Sequence, residues 1–138
     1  MVVMLEGTGQ ILMDEVNTDR MMPLLEEMLH LREKQVRGLV EKVEQYENKR
    51  NAEERVYQSM GPFRRLLAAK RPEHHLAVEY MVYVKRPLQE INDIQADMKR
   101  IEKWITEVRQ ETDKLFVPLH LSYELEKNYR KFLSIEEG

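Results

Sequence analysis

Apolar residues recur with a regular helical spacing in the last third of the chain. Eight positions are separated by alternating steps of three and four residues, and seven of them are apolar: Ile91, Ile94, Met98, Ile101, Ile105, Val108, Thr112 and Leu115. Most of the residues between them are charged or carry side-chain amides. This is the a/d spacing of a coiled coil, held for about four heptads. It predicts a long helix with a narrow apolar stripe.

The first half of the chain predicts another long helix, over residues 19–59. Asn17, Thr18 and Asp19 can cap its first turn, and Gly61, which is followed by a proline, suits its end. Apolar positions again alternate in steps that fit a helix: Leu25, Met28, Leu29, Val36, Leu39, Val40, Val43 and Tyr46. This helix is the first of two predicted arms.

Residues 73–116 are predicted to form the second arm. Within it, residues 76–84 alternate in a way that also fits a buried strand, but no other strand candidate of comparable strength exists to pair with them. A helix is therefore predicted there. Pro87 removes a backbone hydrogen bond and crowds the preceding turn, so a kink or a break is expected near it. A final amphipathic helix is predicted over residues 118–134.

The two arms have similar lengths and are joined by a short tip, residues 60–72. Arms of this kind fold back antiparallel at low entropic cost, because loop-closure entropy grows with loop length. The predicted fold is all-α: a long antiparallel, coiled-coil-like helical hairpin with a short connector helix at the tip and a third, C-terminal helix. Residues 18–138 would form this single helical domain, and residues 1–17 a weakly ordered arm or a short helix. Apolar stripe left uncovered by three helices predicts a homodimer.

Composition places the chain among intracellular proteins. Its 138 residues suit one domain, and the absence of cysteine excludes disulfides and thiolate chemistry. The opening Met1–Leu5 lacks a basic region, and no run approaches the roughly 18 apolar residues of a membrane span. A soluble, cytoplasmic protein without a membrane partner is therefore expected. The net charge of −3 argues against wholesale wrapping of nucleic acid.

Positive charge is concentrated in the middle of the chain. Residues 63–86 hold 6 Lys/Arg and 2 Asp/Glu, a net +4, whereas residues 1–62 sum to −4 and residues 87–138 to −3. Three interpretations are open: the cations only coat the tip with their stems over apolar neighbours, they bind an acidic protein, or they bind nucleic acid with help from nearby aromatic rings. The candidate partner-binding residues are Arg64, Arg65, Lys70, Arg71, Lys85 and Arg86.

Methionine is concentrated at the N-terminus, where six of the nine lie within the first 28 residues: Met1, Met4, Met13, Met21, Met22 and Met28. Flexible, polarisable side chains suit an adaptable docking surface, and they also serve as core filler. A Met-rich N-terminal docking surface is the second candidate for partner binding.

Catalytic and metal motifs do not emerge. His74 and His75 with Glu73 and Glu79 come nearest to a metal cluster, but recognised sites need three or four ligands at defined spacing. No phosphate-binding loop and no nucleophile elbow is present. The expectation is a protein without metal, cofactor or enzymatic activity.

These features predict a non-catalytic helical interaction protein, such as an adaptor, a small chaperone or an assembly subunit. Its protein partner would bind the basic tip, the Met-rich N-terminus or both. The alternative is a nucleic-acid-binding accessory factor that acts through the basic tip. No resemblance to a known family supports either interpretation, since helical hairpins occur in many unrelated proteins.

Overall fold

The computed structural model describes residues 1–62, 64 and 73–137, with the backbone alone at 73, 74, 136 and 137. The described chain is mostly helical, as predicted. Its elements, in chain order, are β1 (Val2–Leu5), β2 (Ile11–Met13), α1 (Thr18–Ser59), α2 (Glu73–Tyr80), a π-helical turn (Met81–Lys85), α3 (Arg86–Arg109), β3 (Lys114–Val117) and α4 (Leu119–Glu137). The antiparallel return of the two arms stays a prediction.

The chain divides into two compact units. Unit 1 comprises Met1–Leu31 and Asp97–Gly138, and unit 2 comprises Arg32–Ala96. Helices α1 and α3 each contribute residues to both units. Both units draw residues from the 18–138 range that was predicted to form a single helical domain, and unit 1 also includes residues 1–17.

A three-stranded sheet in unit 1 shows that the all-α prediction was wrong. The strand order is β2-β1-β3, with β1 antiparallel to β2 and parallel to β3. Val3 in β1 lies between Met13 in β2 and Leu115 in β3, and all three side chains are buried. Each strand has only three or four residues, too few for a period of two to stand out, and β3 pairs with the opposite end of the chain.

Residues 1–17 form two of these strands, so the predicted loose arm or short helix was also wrong. The turn between β1 and β2 contains Gly7 and Gly9, whose φ angles are 88° and 70°. Glycine adopts such angles without the Cβ clash that other residues suffer. Leu5 N–H donates to the carbonyl of Gln10 at 2.7 Å and closes the hairpin.

The a/d positions predicted for the second arm continue past the end of α3. Helix α3 ends at Arg109, and Leu115 lies in β3 rather than in the predicted arm. The helix stops in a Schellman motif: Thr112 N–H donates to Glu107 O at 3.2 Å and Glu111 N–H to Val108 O at 3.1 Å. Glu111 takes the left-handed conformation, with φ of 58°. Glycine usually occupies this position, so no residue type in the sequence marks the stop.

The start of α1 agrees with the prediction. The side-chain carbonyl of Asn17 accepts a hydrogen bond from Asp19 N–H at 3.0 Å, which satisfies one of the unpaired donors of the first turn. Asn17 N–H donates to the hydroxyl of Tyr129 in α4 at 3.0 Å. The cap therefore also ties α1 to the C-terminal helix.

One continuous hydrophobic cluster fills unit 1. It joins the inward face of the sheet to α1, α3 and α4, and the indole N–H of Trp104 donates to Phe116 O at 3.1 Å. Three of the N-terminal methionines are buried in this cluster, so they act as core filler rather than as an exposed docking surface. The cluster consists of Val3, Met13, Val16, Met21, Leu24, Leu25, Met28, Ile101, Trp104, Ile105, Val108, Leu115, Val117, Leu121, Leu125 and Tyr129.

In unit 2, residues 76–84 are helical as predicted, and the helix is not broken at Pro87. A π-helical turn precedes the proline, and Arg86 N–H donates to the carbonyl of Met81, five residues back. Proline lacks an N–H and clashes with the carbonyl four residues before it in a regular α-helix. The wider π turn relieves this crowding and lets α3 follow without interruption.

The cluster in unit 1 makes a direct prediction about Ile101, which is fully buried. Ile101→Asp replaces its side chain with a carboxylate among apolar neighbours, so we expect the free energy of unfolding to fall by at least about 3 kcal/mol. Lys99→Asp, at an exposed position of the same helix, is the matched control and should change stability little. Thermal denaturation of the two variants measures the difference, and equal melting temperatures would contradict the burial of Ile101 in the cluster.

Candidate interaction surface

Unit 2 exposes a run of large apolar side chains, which we name the apolar stretch: Val78, Tyr80, Met81, Val82, Tyr83 and Leu88. Each is between 40% and 53% exposed, whereas Val84 is 3% exposed. Four consecutive residues, 80–83, lie at the start of the π-helical turn and are all exposed, so their side chains point to different sides of the helix. The helix is therefore exposed over most of its circumference. Helices that are apolar all round are normally buried.

The exposed area has the size of a docking surface. An aromatic side chain has roughly 150–250 Å² of surface and an aliphatic one less, so the six residues together expose on the order of 400 Å². The largest apolar patch on a typical soluble monomer covers about 300–600 Å² and is often functional. The area exposed by the apolar stretch therefore falls within the range of the largest apolar patch on a typical monomer.

A small group of contacts with α1 holds the apolar stretch in place. The rings of Tyr46 and Tyr83 stack with centroids 5.0 Å apart and an angle of 17° between their planes. The Tyr46 hydroxyl donates a hydrogen bond to Glu79 Oε2 at 3.1 Å. Val43 and Val84 are buried in the same unit. These contacts position the helix, yet they cover only one strip of its surface.

Two clefts flank Tyr46. The first has a volume of about 390 Å³ and is lined by Lys42, Gln45, Tyr46, Lys49, Arg50, Glu53, Glu79 and Tyr83. The second has a volume of about 420 Å³ and is lined by Tyr46, Glu47, Arg50, Asn51, Leu76, Tyr80 and Val84. The first cleft is named the polar cleft, because charged side chains line most of its wall.

The charge of unit 2 is positive. Its sequence holds 13 Lys/Arg and 10 Asp/Glu, a net +3, whereas unit 1 holds 9 and 15, a net −6. Arg50 pairs with Glu53 at 3.0 Å. Lys42 and Lys49 form no ion pair with any residue that the structure describes. The polar cleft therefore presents two ammonium groups that form no ion pair with a described residue, and its lining carries three positive and two negative side chains.

The structure describes three of the six basic residues predicted to bind a partner. Arg64, Lys85 and Arg86 are all exposed. Lys85 ends the π turn and Arg86 begins α3, so both lie within the apolar stretch between Tyr83 and Leu88. The other three, Arg65, Lys70 and Arg71, lie outside the described residues.

Sequence reasoning missed Lys42 and Lys49. They lie on the first predicted arm at positions that share one helical face with Tyr46, since the three residues are spaced four and three apart. Tyr46 was counted among the apolar positions of the first arm, and the two lysines were assigned no role. In the sequence, the cleft was indicated by the spacing of the two lysines around Tyr46, but this spacing is common on helices.

Unit 1 has a smaller apolar surface on the outward face of its sheet. Met4 in β1 pairs with Ile11 in β2 and with Phe116 in β3, which places the three side chains in one row across the strands. Ile11 and Phe116 are each more than half exposed. A three-stranded sheet is only about 10 Å wide, so this row is a minor surface beside the apolar stretch.

Two of the four residues considered as metal ligands, His75 and Glu79, have side chains that the structure describes. Among the described residues, no three histidine, aspartate or glutamate side chains lie together in an arrangement that could hold a metal ion. His75 is exposed on α2, and Glu79 accepts the hydrogen bond from Tyr46. No helix in the described ranges is long and apolar enough to cross a membrane.

Comparison with known proteins finds no match among family models, curated proteins or solved structures. A helical fold is compatible with many functions. The function must therefore be argued from the exposed surface and its charge.

The tyrosine stack predicts an energetic coupling that a double-mutant cycle measures. Tyr46→Ala and Tyr83→Ala should each destabilise the protein, and their combined effect should fall short of the sum by about 0.5–1.5 kcal/mol. The control cycle combines Tyr46→Ala with Val82→Ala, an exposed neighbour that lines neither cleft. Urea denaturation supplies the free energies. Additivity in the tyrosine cycle would show that the two rings do not stack in solution.

Proposed function

We propose that this chain is a non-catalytic interaction protein, such as an adaptor, a small chaperone or an assembly subunit, that docks a protein partner through the apolar stretch. The observation that carries the proposal is the exposure of a helix that is apolar around most of its circumference. Leaving such a surface in water costs about 25 cal/mol per Å², and a partner that covers it recovers that free energy. Exposed apolar patches of this size mark interaction sites.

The chemistry of the apolar stretch favours protein over nucleic acid. Tyr80 and Tyr83 could stack on bases, as aromatic residues do in single-strand binding proteins. Four of the six residues, however, are aliphatic: Val78, Met81, Val82 and Leu88. Nucleic acid offers these side chains little matching apolar surface. Another protein does, and aromatic residues and methionine are enriched where proteins meet.

The alternative function is nucleic-acid binding, supported by a separate observation. Lys85 and Arg86 are exposed beside Tyr80 and Tyr83, and unit 2 carries a net +3. Cations beside exposed rings are the features by which proteins contact phosphates and stack bases. The area of aliphatic side chain in the same surface makes this the second candidate.

Self-association remains part of the proposal. The row formed by Met4, Ile11 and Phe116 offers a second copy an apolar surface that is separate from the apolar stretch. Opposed charges on the two units, −6 and +3, would favour contact between unlike surfaces of two copies. A homodimer is therefore proposed alongside the protein partner.

No catalytic role is proposed. Charged residues near the apolar stretch take part in local contacts, such as the Arg50–Glu53 pair and the bond from Tyr46 to Glu79. The sequence contains no motif that sets a nucleophile beside a base. The two clefts flanking Tyr46 are wide grooves along helices, which suit macromolecular contact.

Photo-crosslinking in cells tests this proposal. Benzoylphenylalanine in place of Val82, in the apolar stretch, should form a covalent adduct with a specific protein. The same group in place of Glu102, an exposed residue in unit 1, is the control and should form much less. Tyr80→Ser with Met81→Ser should reduce the Val82 adduct severalfold, because it removes apolar area from the contact.

The nature of the adduct decides between the candidates. A nuclease-sensitive adduct would establish the nucleic-acid alternative, and an adduct of twice the 16.6 kDa chain mass would identify a second copy as the occupant. Equal yields at positions 82 and 102 would contradict docking through the apolar stretch.

A further inference from the structure

The polar cleft has the length of a short helix. Its α1 wall runs from Lys42 to Glu53, which at 1.5 Å per residue is about 16 Å, or three helical turns. The opposite wall is formed by Glu79 in α2 and Tyr83 in the π turn. An elongated groove between two helices is the shape that accepts a third helix.

The exposed charge within the cleft is positive and regularly spaced. Lys42 and Lys49 are seven residues apart, so they lie two turns apart on one face of α1. Neither pairs with a described residue. The carboxylate of Glu53 is held by Arg50 at 3.0 Å. Anionic groups entering the cleft therefore meet two ammonium groups without an ion pair to a described residue, in a lining whose three cations and two carboxylates leave a net charge of +1.

Between the two lysines the cleft is aromatic, because Tyr46 lies on the same face of α1. The stacked rings of Tyr46 and Tyr83 both line the cleft, and the second ring is half exposed. Tyr83 also belongs to the apolar stretch, so apolar surface continues from the cleft onto the neighbouring helix. A ligand that fills the cleft would meet a lysine toward each end and aromatic surface between them.

We infer that the polar cleft binds an acidic amphipathic helix of the protein partner, with carboxylates about two turns apart opposite Lys42 and Lys49 and its apolar side against Tyr46 and Tyr83. This inference rests on the proposed function, since it names the class of partner for the same surface. A helix-in-groove contact of this kind uses apolar anchors on one side and complementary charges at the rim.

Other occupants fit less well. An extended peptide needs a sheet edge to pair with, and the described residues of unit 2 contain no strand. The same surface of a second copy would bring one net +3 unit against another. Nucleic acid satisfies the lysines but leaves the aliphatic part of the apolar stretch in water. An acidic amphipathic helix can place carboxylates near the lysines and cover the apolar surface with its apolar side.

A pair of synthetic peptides tests the inference with the full chain. Both have about 14 residues, four helical turns, and the same leucine face; one carries glutamate at the flanking positions and the other lysine. Fluorescence anisotropy of the labelled peptides measures binding. We expect the acidic peptide to bind at least about tenfold more tightly than the basic one, with the difference reduced by salt.

Charge-reversal variants locate the contact. Lys42→Glu with Lys49→Glu should weaken binding of the acidic peptide about tenfold, because attraction between peptide and cleft becomes repulsion. The same change should strengthen binding of the basic peptide. The matched control is Lys99→Glu with Lys114→Glu, two exposed positions of unit 1, which makes the same change in net charge. It should leave peptide selectivity unchanged. Circular dichroism verifies that both variants keep their helical content.

Three results would overturn the inference: equal affinity for both peptides, selectivity that survives reversal of Lys42 and Lys49, or a single-stranded oligonucleotide that binds through these lysines more tightly than the acidic peptide. If the Val82 adduct forms but the peptides bind without the expected selectivity, the cleft assignment is wrong and the proposed function stands. If the peptides show the expected selectivity and no Val82 adduct forms, the proposed function is wrong and the selectivity of the cleft stands.

Discussion

The polar character of α1 beyond Tyr46 is the constraint on which the exposed surface depends. From residue 47 to 55 the helix carries one apolar side chain, Ala52, among charged and amide residues. This segment lines the cleft beside Leu76 and Tyr80, so it faces the most apolar helix in the chain without an apolar surface to cover it. Contact is limited to a strip around Tyr46, and the apolar stretch stays in water. If apolar positions had continued along α1 beyond Tyr46, they would have covered the apolar stretch.

The two units therefore use their apolar residues differently. In unit 1, three helices and a sheet share one buried cluster, and even the flexible side chains of Met21 and Met28 are fully enclosed. In unit 2, the π turn before Pro87 keeps the helix continuous while four successive apolar residues remain exposed. The buried apolar cluster lies in the first unit, and the apolar stretch lies exposed in the second. A division of this kind suits a protein whose second unit is completed by a partner.

Local patterns predicted the helices well and the sheet not at all. Capping by Asn17, helical periodicity in α1 and α3 and the final amphipathic helix all depend on residues close in sequence. Strand β3 depends on pairing with β1 at the other end of the chain. Helix α3 ends at Arg109, and the left-handed position that follows is Glu111, where no glycine marks the end. The basic residues were recognised from local charge. Lys42 and Lys49 were missed because only the packing of Tyr46 against Tyr83 makes a cleft beside them.

Exposure of the apolar stretch is the central claim, and photochemically induced nuclear polarisation of aromatic side chains measures it directly in the isolated protein. The dye reacts only with rings that it can reach, so dilute protein should give signals from Tyr80 and Tyr83, with exposed Tyr123 as the positive control. Buried Tyr129 and Trp104 should stay silent. Silence from Tyr80 and Tyr83 while Tyr123 responds would mean that the chain covers its own apolar stretch, which would contradict an exposed docking surface in unit 2.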